Sequence, residues 1–246
     1  MTENIGTFKR YEKKYLLDTE QYEGLMNSIH SYIEPDAFAS YTICNVYYDT
    51  DNYEIIRKSL DKPVYKEKLR VRSYGTPSAQ DDIFFELKKK YKKEVFKRRV
   101  TLQSKALESY FSHGIMPDVS NQVMKEIGYF MQIYKPEPKI YIAYERKAFS
   151  GKADPNLRIT FDQNIRFRCD NLNLRAGDYG TRILDDSQVL LEIKVCGAMP
   201  IWLSHALDEQ AAYPTSFSKY GYCYENYLAK NIDVPENRGM KRLVTV

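Results

Sequence analysis

The sequence predicts a single, strand-rich α+β domain, on three observations. Nine segments alternate in residue type with a period of two, and they are spread from one end of the chain to the other. Tyrosine suits strand surfaces, and the chain of 246 residues has 22 of them against a single tryptophan. No repeat, low-complexity stretch or Gly/Ser linker divides the sequence. Residues 1–234 are therefore expected to form one domain, with 235–246 as a C-terminal tail.

The elements follow in order. A first strand is expected over 8–17. Residues 19–33 place Tyr22, Leu25, Met26, Ile29 and Ile33 at helical spacing, with Asp18 or Thr19 as the cap and Pro35 just past the end. Alternation then marks strands over 41–49, 64–74, 82–91 and 93–102. Helices are expected over 104–113 and 120–134, the second with Val123, Ile127, Phe130 and Met131 on one side. Further strands are expected over 139–149, 157–162, 164–169 and 187–196. Two last helices cover 200–212, with Pro200 in the first turn, and 219–230. Asp49 and Asp51 in "YYDTDNY" read as turn caps, and Tyr213, Tyr220, Tyr222, Tyr224 and Tyr227 as helix packing. His30, His113 and His205 have no metal-ligand spacing.

Hydrophobic residues at 43% and charged residues at 28% fit a soluble globular protein. "MTENIGTFKRYEKKY" lacks the apolar region of a signal peptide, and no apolar run approaches the roughly 20 residues that cross a bilayer. Cys44, Cys169, Cys196 and Cys223 are far apart and read as reduced thiols. A cytoplasmic location is expected, any membrane association coming through a partner. The net charge is only +4, but "KKKYKKEVFKRR" sets eight basic residues against one acid, and "KPVYKEKLRVR" five against one. Such excess suits an anionic partner or a solvated face balanced elsewhere.

Side chains followed along the strands raise a sharper question. Lys66, Lys68, Arg70 and Arg72 share one face, opposite Leu69 and Val71; Glu86, Lys88 and Lys90 share another, opposite Phe85 and Leu87. Glu192 and Lys194 oppose Leu191, Ile193 and Val195. The Glu-x-Lys spacing occurs three times, at Glu12/Lys14, Glu86/Lys88 and Glu192/Lys194. Two folds satisfy this pattern. The apolar faces could meet inside a sandwich or barrel with the charges in water. Alternatively the sheet closes with charges lining its lumen, helices covering the apolar outside and an anion inside to offset the buried charge. The pattern by itself leaves both open.

"KKY" at the start, "YYDT" at 47–50, "RVRSYG" at 70–75, "FFELKKK", "YERKAF", "LRITFD", "LLEIKV" and "FSKY" at 217–220 resemble, in this order, the VTC domain. This is the polyphosphate-polymerase domain of the vacuolar transporter chaperone family and its bacterial relatives, within the triphosphate tunnel metalloenzymes and CYTH-like proteins. The resemblance spans about residues 8–230. It implies an antiparallel eight-stranded β-barrel with a basic lumen covered by helices. It also implies phosphate contacts from Lys14, Arg70, Arg72, Lys88, Lys97, Arg146, Arg158, Lys194 and Lys219. Catalysis would involve Lys14, Arg70, Arg72, Lys88, Arg146 and Glu192, and Glu192 would hold Mn²⁺ or Mg²⁺. Glu12 and Glu86 are expected mainly as partners of lumenal bases. Ser216 stands where the family can carry a second lysine, and Arg10 where the CYTH branch has its first Glu.

The implied activity is transfer of the ATP γ-phosphate onto a growing polyphosphate chain that threads out through open tunnel ends. The alternatives are a metal-dependent triphosphatase and a non-catalytic polyphosphate-binding module. Nucleic acid is not expected, since a duplex does not fit an eight-stranded barrel. The chain shows no SPX-like domain and no membrane anchor, so sensing or product delivery would come from partners, a membrane protein among them.

Overall fold

The computed structural model describes residues 10–92, 94–114 and 121–231. The expected tail and the first two residues of the expected first strand lie outside them. The elements in order are β1 (Arg10–Leu17), α1 (Thr19–Ile29), β2 (Ile33–Asp49), α2 (Glu54–Leu60), β3 (Tyr65–Tyr74), β4 (Asp82–Tyr91), β5 (Glu94–Gln103), α3 (Ser104–His113) and α4 (Gln122–Tyr134). They continue with β6 (Glu137–Gly151), β7 (Arg158–Arg168), β8 (Thr181–Arg182), β9 (Val189–Cys196), α5 (Ile201–Glu209), β10 (Pro214–Thr215) and α6 (Lys219–Cys223). The strands form one antiparallel sheet in the order β10-β1-β9-β7-β6-β2-β3-β4-β5, with β8 beside β7.

Several expectations change. Helix α1 stops at Ile29, and the chain enters β2 at Ile33, eight residues before the expected strand. Asp18 fixes the start of α1 by a capping box with Gln21. Pro35 lies inside β2, opposite Phe149, next to a register shift; a proline at a strand's irregular start forfeits little hydrogen bonding. The strands expected over 157–162 and 164–169 are one, β7, kinked at Asn164, which adopts φ 47°. Asparagine tolerates the left-handed region, and the neighbouring register shift between Ala143 and Glu145 is a bulge. That bulge switches faces: Thr160 and Asp162 point to the concave side before it, Ile165 and Phe167 after it.

A further change concerns closure. Ten strands are present among the described residues rather than eight, and β10 and β5 end the sheet without pairing to each other. Strand β10 occupies the edge of β1 for two residues, Lys14 opposite Thr215 and Tyr15 opposite Pro214. Proline has no N–H to extend that ladder. The sheet nevertheless curls, since Lys14 donates to the Phe217 carbonyl at 2.9 Å and Lys68 on β3 to Ser218 Oγ at 3.1 Å. The segment after β10 thus bridges the seam.

Apolar side chains on the convex face are covered by helices. α3 and α4 lie over β2–β5, with Leu107, Ile127 and Phe130 against Val71, Phe85 and Leu87. α1 and α5 lie over β1, β7 and β9, with Leu25, Ile29 and Leu203 against Phe161, Leu191 and Ile193. A third cluster fills one end of the concavity. Ile142, Ile165 and Leu190 of the sheet meet Ile56 of α2 and Tyr220, Cys223, Tyr224 and Leu228 of the C-terminal run. That run is not the uniform helix expected over 219–230: α6 passes into a π-helix at Tyr224–Leu228 and a short 3-10 turn. Tyr213, by contrast, is exposed rather than packed. Asp49 caps α2 as expected of it, accepting from the Ile55 and Ile56 amides at 2.9 Å each, and also holds the Tyr220 hydroxyl at 2.8 Å.

Candidate active site

The concave face is polar wherever the apolar plug does not reach, and its side chains come from alternate positions of eight strands, β1 to β7 and β9. On β3, Arg70 donates Nε to Glu86 Oε2 at 2.8 Å and Nη1 to the Tyr47 hydroxyl at 3.2 Å. Glu86 is 1% exposed and also receives Arg99 Nε at 2.6 Å and Lys97 Nζ at 2.8 Å. Burial by itself would raise its carboxyl pKa; Arg70, Arg72 and Lys97 instead hold it far below the usual range. Two residues on, Arg72 donates to Asn45 Oδ1 at 3.0 Å and approaches the Tyr144 hydroxyl at 3.4 Å. Asn45 is itself fixed by its amide donating to the Ile142 carbonyl at 3.1 Å.

Across β2 from Arg72, Arg146 on β6 grips Asp162 with two hydrogen bonds, at 2.6 and 2.8 Å, and Lys219 Nζ reaches the same carboxylate at 2.6 Å. Asp162 is fully buried. Lys219 also sits 4.2 Å from the Tyr144 ring centre. Burial would raise the Tyr144 phenol, but Arg72, Arg146 and Lys219 pull its pKa below the ordinary value.

On β1, Lys14 Nζ lies 3.5 Å from Glu12 and 3.7 Å from Glu192. Burial works against its charge, yet these two acids raise its pKa. Glu192 pairs also with Lys194, and despite burial its carboxyl is held well down by Lys194, Lys14 and Arg146. Lys88 has the opposite balance. Burial, then Arg70 and Lys14, lower it against the pull of Glu12 and Glu192. That Lys88 on β4 feels Glu12 and Lys14 on β1 shows how far the sheet curls.

Of the residues expected in the site, Lys14, Arg70, Arg72, Lys88, Arg146, Glu192 and Lys219 therefore converge. Lys97 stands at the edge as a tether for Glu86, its ammonium pushed down to about 8, chiefly by burial. Lys194 is at the rim beside Glu192. Arg158 lies outside the group, half exposed and paired with Asp36 at 2.7 Å. Asp162, Asn45 and Tyr47 were not expected there, whereas Arg99 and Tyr144 share the strand faces of Lys97 and Arg146. Asp162 was findable, because it continues the Arg158–Thr160 face in "LRITFD". Asn45 and Tyr47 were not, because β2 is apolar on both sides of them.

The balance of charge defines the site. Lys14, Lys68, Arg70, Arg72, Lys88, Lys97, Arg99, Arg146, Lys194 and Lys219 face four acids: Glu12, Glu86, Asp162 and Glu192. Six surplus cations in one concavity repel one another unless a polyanion joins them. For a metal, no group of three or more His, Cys, Asp or Glu side chains gathers among the described residues. Glu12 and Glu192 are the acids that flank one point, and Lys14 stands between them. One or two carboxylates with the remaining ligands from phosphate is how Mg²⁺ is ordinarily held. The residues thus fit a divalent ion that enters with its phosphates.

A curled antiparallel sheet with a basic concave face belongs to the triphosphate tunnel class of folds. The chain is a member of the VTC domain family, whose sequence profile matches residues 9–227. Among solved structures it is similar to a Bacillus halodurans protein provisionally named an adenylate cyclase, at 15% identity and a TM-score of 0.53, over 85% of this chain and 95% of that one. It is also similar to a Vibrio parahaemolyticus protein with the same provisional name, at 12% identity and a TM-score of 0.46, over 87% and 96%. A Hippeastrum protein described as having a dominant triphosphatase activity shares 11% identity and a TM-score of 0.49, over 85% and 92%. The first of these speaks for the fold alone. No functionally curated protein matches the chain by sequence.

Proposed function

We propose that this chain is a phosphotransferase that moves the γ-phosphate of ATP onto the end of an inorganic polyphosphate chain held in the basic concavity. The observation that carries the reading is the excess of cations over acids on the concave face. Phosphoryl transfer asks for positioning and charge neutralisation more than for covalent chemistry. Arg70 and Arg72, fixed by Glu86 and Asn45, are oriented before substrate arrives and offer fork-shaped donors. Lys14 and Lys88 supply compact charges. Arg146 and Lys219, locked on Asp162, stand with Arg72 around Tyr144. A divalent ion, Mg²⁺ or Mn²⁺, held by Glu192 with Glu12 beside it, would neutralise charge on the phosphate oxygens.

The apolar plug changes how product leaves. A chain threading through two open ends was expected, but Tyr220, Tyr224 and Leu228 fill one end with side chains. In this reading donor, acceptor and product share the other mouth. The same plug favours a second reading, a metal-dependent triphosphatase, which needs no through-route.

³¹P NMR of the protein with ATP, Mn²⁺ and a short polyphosphate primer decides between them. Growth of the internal polyphosphate resonance together with ADP is the expected result. Orthophosphate as the sole new product would establish the triphosphatase instead. An unchanged spectrum with ATP bound would leave a binding module.

A further inference from the structure

We propose that Lys68, which none of the sequence motifs singled out, is a phosphate-binding residue at the plugged end of the concavity, where it exchanges its hydrogen bond to Ser218 for a phosphate oxygen. The inference rests on the reading of the concavity as a polyphosphate site and adds a residue to it.

Lys68 points inward from β3, two residues before Arg70, and its register partner across β4 is Lys88. Its Nζ donates to the Ser218 hydroxyl at 3.1 Å, and it has no ion pair among the described residues. Most other inward cations are paired: Arg70, Arg99 and Lys97 have Glu86; Lys14 and Lys194 have Glu192; Arg146 and Lys219 have Asp162. Arg72 and Lys88 also lack an ion pair among the described residues, but Arg72 is held by Asn45 and Lys88 feels the pull of Glu12 and Glu192. The charged groups that act on Lys68 most strongly are positive: Lys66 and Arg70 on its own strand, Lys88 on β4 and Lys14 on β1. From the segment after β10 it meets the neutral Ser218. Burial and then these four cations push its ammonium down to about 7. A lysine held this way, open in part to the concavity, is an acceptor of negative charge.

The arrangement has a consequence for protons. Near pH 8 much of Lys68 is neutral in the empty protein. A phosphate oxygen beside it supplies the missing counter-charge and favours the ammonium, so binding draws a proton from solvent. Lys97, at about 8, contributes to the same uptake, which makes the variant comparison the informative one.

The test is titration calorimetry with inorganic tripolyphosphate at pH 8, in two buffers of different ionisation heat. It uses the wild type, Lys68→Met and Lys68→Arg, with melting temperatures measured alongside. Lys68→Met is expected to bind about tenfold more weakly, the loss of one charge-assisted hydrogen bond. Lys68→Arg, whose charge is permanent, is expected to keep affinity while proton uptake falls by about one. Wild-type affinity in Lys68→Met, or unchanged uptake in Lys68→Arg, overturns the inference. If Lys68→Met fails to fold, the uptake of Lys68→Arg decides by itself. Failure of the polyphosphate reading would show separately, as absence of tripolyphosphate binding in the wild type, and would remove this inference with it.

Discussion

Glu192 and Arg72 separate catalysis from grip. Glu192 is a buried acid beside Lys14, at 3.7 Å, that is not needed to hold a guanidinium in place. Glu192→Ala is expected to lower kcat by about a hundredfold or more, while tripolyphosphate affinity changes little, as steady-state kinetics and calorimetry would show. Arg72→Ala should instead weaken tripolyphosphate binding about tenfold or more. Normal turnover in Glu192→Ala would remove it from the reaction. Glu86 has a different part, because one buried carboxylate organises three cations. Its folded-state pKa lies below the value of about 4.5 that it takes in the unfolded chain, so the unfolded chain binds the proton first. The stability it contributes is therefore present above that pH and is lost as pH falls further. Acid titration followed by circular dichroism should show Glu86→Gln unfolding with a weaker dependence on pH below 4.5 than the wild type. These roles also explain the repeated Glu-x-Lys. Glu86 serves the guanidinium groups of neighbouring strands, whereas Glu12 and Glu192 flank one lysine. Spacing revealed the three pairs; only the register between strands distinguished their partners.

Among the elements, the C-terminal run decides the shape of the site. It plugs one end of the concavity, supplies Lys219 to Asp162, and ties the seam through Phe217 and Ser218. One bond anchors it to the far side of the sheet, from the Tyr220 hydroxyl to the buried Asp49. Tyr220→Phe should cost about 1–3 kcal/mol in urea unfolding, since a buried carboxylate loses a donor. A change below a few tenths of a kcal/mol would mean that the plug is held by apolar packing rather than by Asp49. The helices over the convex face were legible, because Leu, Ile and Phe at three- and four-residue spacing have one explanation. The break of the last helix into a π-helix was not, because residues 219–230 carry no proline or capping signal within the run.

For the molecule as a whole, the surplus of like charge makes the empty site a source of instability that a polyanion relieves. Tripolyphosphate at about a hundred times its Kd should stabilise the fold by about 2.7 kcal/mol, raising Tm by several degrees. The rise should shrink as salt is added, because screening weakens both the repulsion and its relief. A melting curve indifferent to tripolyphosphate would contradict the polyanion reading.

The sequence by itself determined that strands carry one basic and one apolar face, and which arginines and lysines share a side; that helices cover the apolar face came from the structure. Alternation with a period of two is local, so it survives without knowledge of the neighbours. Tertiary structure decided the rest. Whether the charges face inward or out depends on the sense in which the sheet curls. Whether the barrel closes depends on the few residues at one seam, where Pro214 cannot extend a ladder. Which cation is paired and which is not depends on register, and a shift of one residue reverses every face. Asp162 on its lysine and arginine, Arg158 left aside with Asp36, and Lys68 among positive neighbours are all outcomes of contacts between residues far apart in the chain.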